Sequence, residues 1–488
     1  MTLITMTRRL AGQLRIVFRK ALSITRGSGP ALHFVTGPDG IRVRARSGDA
    51  AVEYHEPGNL PQQEMWVPFD MLGDVEARKD DPVELTIQDD GHATANWQDG
   101  NVPQMTQYDL VRSSDVGSFP ELPKQMTENP PQLLRALHDA METTDPGAVR
   151  YALECVQLRG KTNSLAATDG RQVLIDNGFD FPWDDEVLIR RTKFFGSKDV
   201  THDEPVTVGR TKEWVTIRVG PWTLCLKIQT DGRFPDVDCH VPSVASAVAT
   251  CRLSVPDASF LIENLPRMPG DDEYNLPVTL DLNGSVIVRG KSASQPQPTE
   301  LVLIDSTATG EPMRINTNRR YLARAAQLGL TEVCLFSPET PAMACDEHRR
   351  YVWALLEPGP VIKPAKNATR ITSPATTPAA SPPKRQPQES TRTMPQPNNN
   401  SNGHATQGPT SRGRANQNNG KPVRTRTTKA GAEDLAGLID QTEALRESLR
   451  DTLAKTQTLL KGLKQHRRTT RTLENTLASI RQLKTLGV

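Results

Sequence analysis

Residues 164–175 read SLAATDGRQVLI. Two apolar, β-prone runs meet at Thr168-Asp169-Gly170-Arg171. Glycine takes positive φ at no steric cost and aspartate tolerates it, so an Asp-Gly pair between such runs predicts a hairpin with a two-residue turn. A hairpin alone belongs to many folds. This one is decisive because its surroundings occur three times. A strand, a short gap and a helix start appear as AAVEYHE (50–56) before MWVPFDML (65–72), as RQVLIDN (171–177) before VLIRRTKFF (187–195), and as ELVLIDS (300–306) before MRINTNRRYL (313–322). Val67, Ile189 and Ile315, ahead of the helix starts, are 122 and 126 positions apart. Each unit opens with an amphipathic stretch: RRLAGQLRIVFRKAL, PPQLLRALHDAM and PDASFLIENLPRM. The first two close alike, with FPELP at 119–123 and FPDVDCHVP at 234–242. A period of about 120 is far too long for a solenoid. It predicts an α+β protein of three homologous domains, each with two helices packed on antiparallel sheets, over 1–125, 126–246 and 247–358.

At 488 residues the chain is too long for one core, and its 36% hydrophobic and 5% aromatic content point to a polar segment diluting a globular body. No apolar run approaches the ~18 residues of a membrane span, so no membrane partner is expected. The opening MTLITMTRRLAGQLRIVFRKAL carries Arg8, Arg9, Arg15, Arg19 and Lys20 where a signal peptide needs an unbroken apolar run, and reads as mature sequence. Cys155, Cys225, Cys239, Cys251, Cys334 and Cys345 form no C-x-x-C pair; reduced, buried thiols in a cytosolic protein fit them better than metal ligands or disulfides.

The formal charge of +2 hides an asymmetry. Residues 359–488 hold 22 Lys and Arg against 8 Asp and Glu, which leaves 37 against 49 for residues 1–358. An acidic body carries a basic tail. The tail begins with a Pro-, Thr-, Asn- and Gln-rich stretch over 359–430 that offers no core and reads as a disordered basic linker. Over 431–488 helix formers return, with Leu438, Leu445, Leu449, Leu459, Leu463, Leu473, Leu477 and Ile480 on alternating three- and four-residue steps whose gaps hold Thr442, Thr452, Thr456, His466 and Thr470. That spacing predicts an amphipathic helix able to pair as a coiled coil, with a break at Gly462.

Within the acidic body, basic residues gather on the expected helices. Leu10, Leu14, Val17, Phe18 and Ala21 share one face of the first, and Arg8, Arg15 and Arg19 fall on another. In the third unit Asn316 or Thr317 is placed to cap a helix ended by Gly329. Leu322, Ala325 and Ala326 face inward there, with Arg319, Arg320 and Arg324 on the polar side. The middle unit offers Arg190, Arg191 and Lys193. A solvated face is the ordinary explanation of such residues, but basic faces recurring in an acidic body point to a phosphate-facing surface.

The quoted hairpin also carries a resemblance. LAATDGRQVLI (165–175) resembles the ATDGHRLA hairpin of the bacterial DNA polymerase III beta subunit, the sliding-clamp family. DGRFPDVDCHVP (231–242) is similar to that family's GRFPDY segment, GAVRYALECVQL (147–158) to the strand leading into the hairpin, and NRRYLARAAQLG (318–329) with YVWALLEP (351–358) to the last domain. The likeness spans residues 1–358 and leaves the tail outside. It implies three tandem clamp-like domains in a head-to-tail homodimer, a ring whose helices line a hole for duplex DNA. It implies a cytoplasmic, nucleoid-associated processivity factor with no catalysis, metal or cofactor. By position, Arg8, Arg15, Arg19, Arg150, Tyr151, Arg191, Lys193, Arg319, Arg320 and Arg324 would face DNA. A pocket of Leu153, Thr168, Gly170, Arg171, Val173, Pro235, Val352, Ala354, Leu355 and Leu356 would accept linear peptides of the DNA polymerase and clamp-loader proteins. Arg171-Gln172-Val173 stands where the family has His-Arg-Leu, and Val237 where it has tyrosine.

Enzyme readings find little support. In CDEHRR (345–350) adjacent strand residues point to opposite faces, and no P-loop, H-E-x-x-H or G-x-S-x-G occurs. The alternative to a clamp is a clamp-fold scaffold, or paralogue, that binds DNA or partners through its basic tail without closing a ring.

Overall fold

The computed structural model describes residues 2–88, 91–112, 117–148, 151–200, 203–357 and 359–375, all within one compact unit, Met1–Lys384. One order of elements recurs three times, with one extra strand, Thr307–Gly310, in the third. First come β1 (Thr2–Thr7), α1 (Arg8–Ala21), β2 (Leu32–Gly37), β3 (Gly40–Ser47), β4 (Ala50–Glu56), β5 (Gln63–Val67), α2 (Met71–Val75), β6 (Pro82–Ile87), β7 (His92–Asp99) and β8 (Val102–Asp109). The second repeat runs β9 (Thr127–Asn129), α3 (Gln132–Thr143), β10 (Cys155–Arg159), β11 (Ser164–Thr168), β12 (Gln172–Asn177), β13 (Glu186–Arg190), a 3-10 turn at Phe194–Gly196, β14 (Val206–Arg210), β15 (Trp214–Val219) and β16 (Trp222–Lys227). The third runs β17 (Ala249–Arg252), α4 (Val255–Asn264), β18 (Pro277–Leu282), β19 (Val286–Gly290), β20 (Thr299–Leu303), β21 (Thr307–Gly310), β22 (Met313–Asn318), α5 (Arg319–Gln327), β23 (Glu332–Leu335), β24 (Ala342–Cys345) and β25 (Arg349–Trp353).

In each repeat the strand before the second helical element folds back beside the first strand after the first helix, giving β5-β2-β3-β4, β13-β10-β11-β12 and β22-β18-β19-β20. The opening strand and the last three make a second sheet: β1-β6-β7-β8, β9-β14-β15-β16 and β17-β23-β24-β25. Two antiparallel seams join neighbouring repeats. β4 pairs with β16 from Tyr54 opposite Trp222 to Ala50 opposite Leu226, and β12 with β25 from Gln172 opposite Trp353 to Asp176 opposite Arg349. The first repeat's last strand, β8, ends at Asp109 and the second's, β16, at Lys227.

The helices form where their caps and apolar faces agree. Thr7 Oγ1 accepts from Leu10 N at 3.1 Å to start α1, and Leu10, Ala11, Leu14, Val17, Phe18 and Ala21 are buried beneath it. Arg19 and Lys20 complement the negative end of the helix dipole. For α5 the cap is Asn318, whose Oδ1 accepts from Arg320 N at 2.9 Å, and not the expected Asn316 or Thr317, because β22 continues to residue 318. Gly329, with φ 74°, follows it.

Several sequence expectations are corrected. The second helix of the middle repeat is only the 3-10 turn: Thr192 Oγ1 accepts from Phe194 N, both phenylalanines are buried, and Gly196 lies so close to His138 that a Cβ would sit 2.7 Å from its ring. An aromatic pair followed by glycine lacks the propensity to extend the turn. The hairpin at 169–172 is a four-residue loop, not two, since Thr168 pairs with Val173. The Asp169 carboxylate closes it, accepting from Arg171 N at 2.8 Å and Gln172 N at 2.9 Å while Gly170 takes φ 89°. Cys239 is exposed; the other five thiols are buried and all six are free. The linker expected from residue 359 starts with order: Thr369–Thr372 form β26, parallel to β20. Its β-branched Thr369, Ile371 and Thr372 suit a strand wherever an edge stands open. The expected linker from residue 376 onward and the expected helix at 431–488 lie outside the described residues.

Candidate nucleic-acid and partner interface

Folding divides the ten expected DNA-facing residues. Arg8 is buried: Nε donates to Val75 O at 2.9 Å, Nη1 to Gln98 O at 2.8 Å and Nη2 to Glu76 O at 3.4 Å, and Asp99 pairs with it at 3.3 Å. It ties the start of α1 to the ends of α2 and β7. Arg319 is likewise buried, donating to Met268 O, and burial lowers its pKa. Neither guanidinium is free to meet a phosphate, which corrects both assignments. Arg15, Arg191 and Arg324 are partly exposed but engaged, with Glu76 at 2.6 Å, Glu142 at 3.4 Å and Asp139 at 3.1 Å respectively. Among the described residues Arg19 reaches only Gly27 O, at 3.4 Å, while Lys193, Arg320 and Tyr151 are exposed. Arg150 lies outside the described residues. Sequence reading missed Arg135 and Lys198, which line a cleft of about 630 Å³ with His138 and Gly196. The arginine in LLRALHD stands on the polar face of α3, a signal of the same kind as those used for α1 and α5.

The pocket residues also divide. Strand pairing brings Thr168, Val173 and Val352 side by side, Ala354 N donates to Arg171 O at 2.8 Å, and Leu153 Cδ1 lies 3.7 Å from where a Gly170 Cβ would be. Val173 and Val352 share an apolar cluster with Val237, against which Phe234 and Val241 pack. The floor of this site is therefore buried, and Leu153, Pro235, Gly170, Arg171 and Ala354 offer its accessible surface. Leu355 packs instead on the third repeat's core, and Leu356 lines another cleft with Thr279, Asn316 and Ile362.

Beside the hairpin runs a groove of about 860 Å³ that sequence reading did not find. Asp169, Arg171, Tyr274, Arg320, Tyr321 and Arg324 line it, with Arg171 stacked over the Tyr274 ring at 4.7 Å. Tyr274 sits in DDEYNL, a loop held by the Asp272 carboxylate, which accepts from Tyr274 N and Asn275 N. Loop geometry of this kind leaves no periodic signal.

Glu332, Cys334 and Cys345 place their ligand atoms within 4.8 Å of one another. Burial pushes the Cys334 thiol up to about 12 and raises Cys345 as well, so both hold protons at neutral pH. In CDEHRR, Asp346 accepts from His348 N and Arg349 N and closes the β24–β25 turn.

Three repeats, each with two sheets and helical elements, joined by two antiparallel seams, make the fold of the ring-forming clamps. The solved structures similar to this chain are bacterial DNA polymerase III beta subunits, the sliding clamps. The Pseudomonas aeruginosa beta subunit is 18% identical at a TM-score of 0.59, over 73% of this chain and 100% of that one. The beta chain of Streptococcus pneumoniae is 15% identical at 0.61, over 73% and 100%, and the Bacillus subtilis clamp 14% at 0.61, over 73% and 99%. At such identities the likeness is one of fold. No family model and no curated protein matches the chain.

Proposed function

We propose that this protein is a DNA sliding clamp, a non-catalytic subunit that closes with a second copy into a ring around duplex DNA. It tethers a polymerase and other partners through linear peptides bound beside the 169–172 hairpin. The three repeats act as domains over 1–125, 126–246 and 247–358, working on chromosomal DNA in the cytoplasm. One observation carries the reading: the strand that ends one repeat's sheet pairs with the closing strand of the next, twice over. The same rule applied between two molecules joins β20 of one to β8 of the other, head to tail. The charge pattern supports it. A body with an excess of acidic residues avoids binding DNA indiscriminately, while half-buried Arg19 and exposed Lys193 and Arg320 give a salt-sensitive attraction without base contacts.

Topology tests the proposal. Loaded on a closed DNA circle, the protein should stay bound through a high-salt wash and leave once the circle is cut. Loss during the wash, or retention on the linear product, would overturn it; retention without regard to ends would favour tail-driven binding.

A further inference from the structure

β4, β12 and β20 hold the same place in the three repeats, the outer edge of a four-stranded sheet. β4 and β12 are each paired along five residues by the closing strand of a neighbouring repeat, β16 and β25. No further repeat follows β20 among the described residues. β8, the closing strand of the first repeat, has β7 on one side and no strand among the described residues on the other, with Val102 and Met105 exposed on it. Repetition thus leaves β20 and β8 as matching edges of two copies.

β20 is nevertheless covered. Thr369–Thr372 lies along it from Thr369 opposite Thr299 to Thr372 opposite Val302. Thr369 N donates to Pro298 O at 3.0 Å and Ser373 N to Val302 O at 2.9 Å; Ser373, buried, accepts through Oγ from Ile304 N at 3.1 Å. Glu300, buried on β20, takes Arg289 Nε on Oε1 at 2.7 Å and Arg370 Nε on Oε2 at 2.8 Å. A buried carboxylate on the edge strand therefore has one oxygen satisfied by its own sheet and the other by a residue 70 positions away.

We propose that Thr369–Thr372 is an exchangeable strap over the ring-closing edge, which β8 of a second copy must displace before two chains form a ring. The inference rests on the sliding-clamp reading. The strap is built to yield. Its ladder is four residues long and parallel, against five and antiparallel at each internal seam, and all four of its side chains are exposed. In an isolated copy it shields an edge that would otherwise pair indiscriminately, and being tethered it competes at a high effective concentration. Ring closure then depends on protein concentration, or on a loader that lifts the strap.

The test uses the full chain. R370E with I371P removes the Glu300 contact and a strand N–H, and sedimentation equilibrium should show homodimerisation about tenfold tighter or more, since a hydrogen bond to a buried charge no longer opposes exchange. The opposite variant, T299C with T369C in a Cys239→Ser background, joins strands whose paired Cα atoms lie about 4.8 Å apart, within disulfide range. Oxidised, it should stay monomeric, and reductant should restore the parent's dimerisation. If parent and both variants dimerise equally, the strap inference fails and the ring reading stands. If none self-associates, the ring reading fails and takes the strap with it. Should R370E/I371P unfold, the locked variant decides alone: a dimer in its oxidised form would overturn the proposal.

Discussion

Replacing Arg19 and Arg320 together by alanine distinguishes a phosphate-facing surface from a solvated one. Arg19 lies in the last turn of α1 and, among the described residues, reaches only the Gly27 carbonyl, at 3.4 Å; Arg320 is exposed in the first turn of α5. Neither gives up a carboxylate of the described residues on meeting DNA. Arg15 and Arg324 differ, because each must first release Glu76 or Asp139, which blunts the counterion change. Each phosphate contact contributes a slope of about 0.9 in log affinity against log salt, so two per chain, four in a ring of two copies, contribute about 3.6. Across a fourfold rise in salt the parent ring should therefore lose roughly 150-fold more affinity for duplex DNA than the double variant. The basic tail adds the same slope to both proteins and cancels in the difference. Fluorescence anisotropy titrations at a series of salt concentrations give the two slopes. Parallel lines would refute the assignment and leave both arginines as a solvated face.

The buried arginine makes the converse case. Arg8→Ala strips donors from the Val75, Gln98 and Glu76 carbonyls and should cost about 3 kcal/mol of stability in denaturant titration with no change in salt slope. Leu153→Asp sets a charge on the accessible rim of the hairpin site and should weaken an extended peptide with apolar anchors by about 2 kcal/mol, read by calorimetry. Val173→Asp, in contrast, puts its charge within a packed cluster and should fail to fold, seen as lost near-ultraviolet dichroism. Burial raises the Asp176 carboxyl to about 6, against the pull of Arg349. A pKa raised on folding means the native state holds the proton more tightly, so this contribution is full below about pH 4 and lost as pH rises through 6. Asp176→Asn should remove that loss, gaining roughly 2–3 kcal/mol on the parent between pH 4 and 7 in paired denaturation curves.

The fold was legible because its signals are local and repeated. Strand and helix periods, Gly329 after α5 and the spacing of Val67, Ile189 and Ile315 each depend on a few neighbouring residues, and three copies of the pattern reinforce one another. The hairpin could be located but not its loop length, since the Asp169 carboxylate closes four residues where the Asp-Gly pair suggested two. Which arginines face outward was beyond the sequence. Arg8 and Arg15 share a polar helix face, yet Arg8 meets Val75 and Gln98 only after α2 and β7 have returned to it. The groove under Tyr274 and the strap on β20 are of the same kind. Composition marks 359–430 as poor in core residues, but Thr369–Thr372 needs no core, only an unpaired edge and the second oxygen of Glu300. Periodicity reports what a segment can become; whether an edge, a carbonyl or a carboxylate is still unsatisfied is settled by residues tens of positions away, once the sheets have closed.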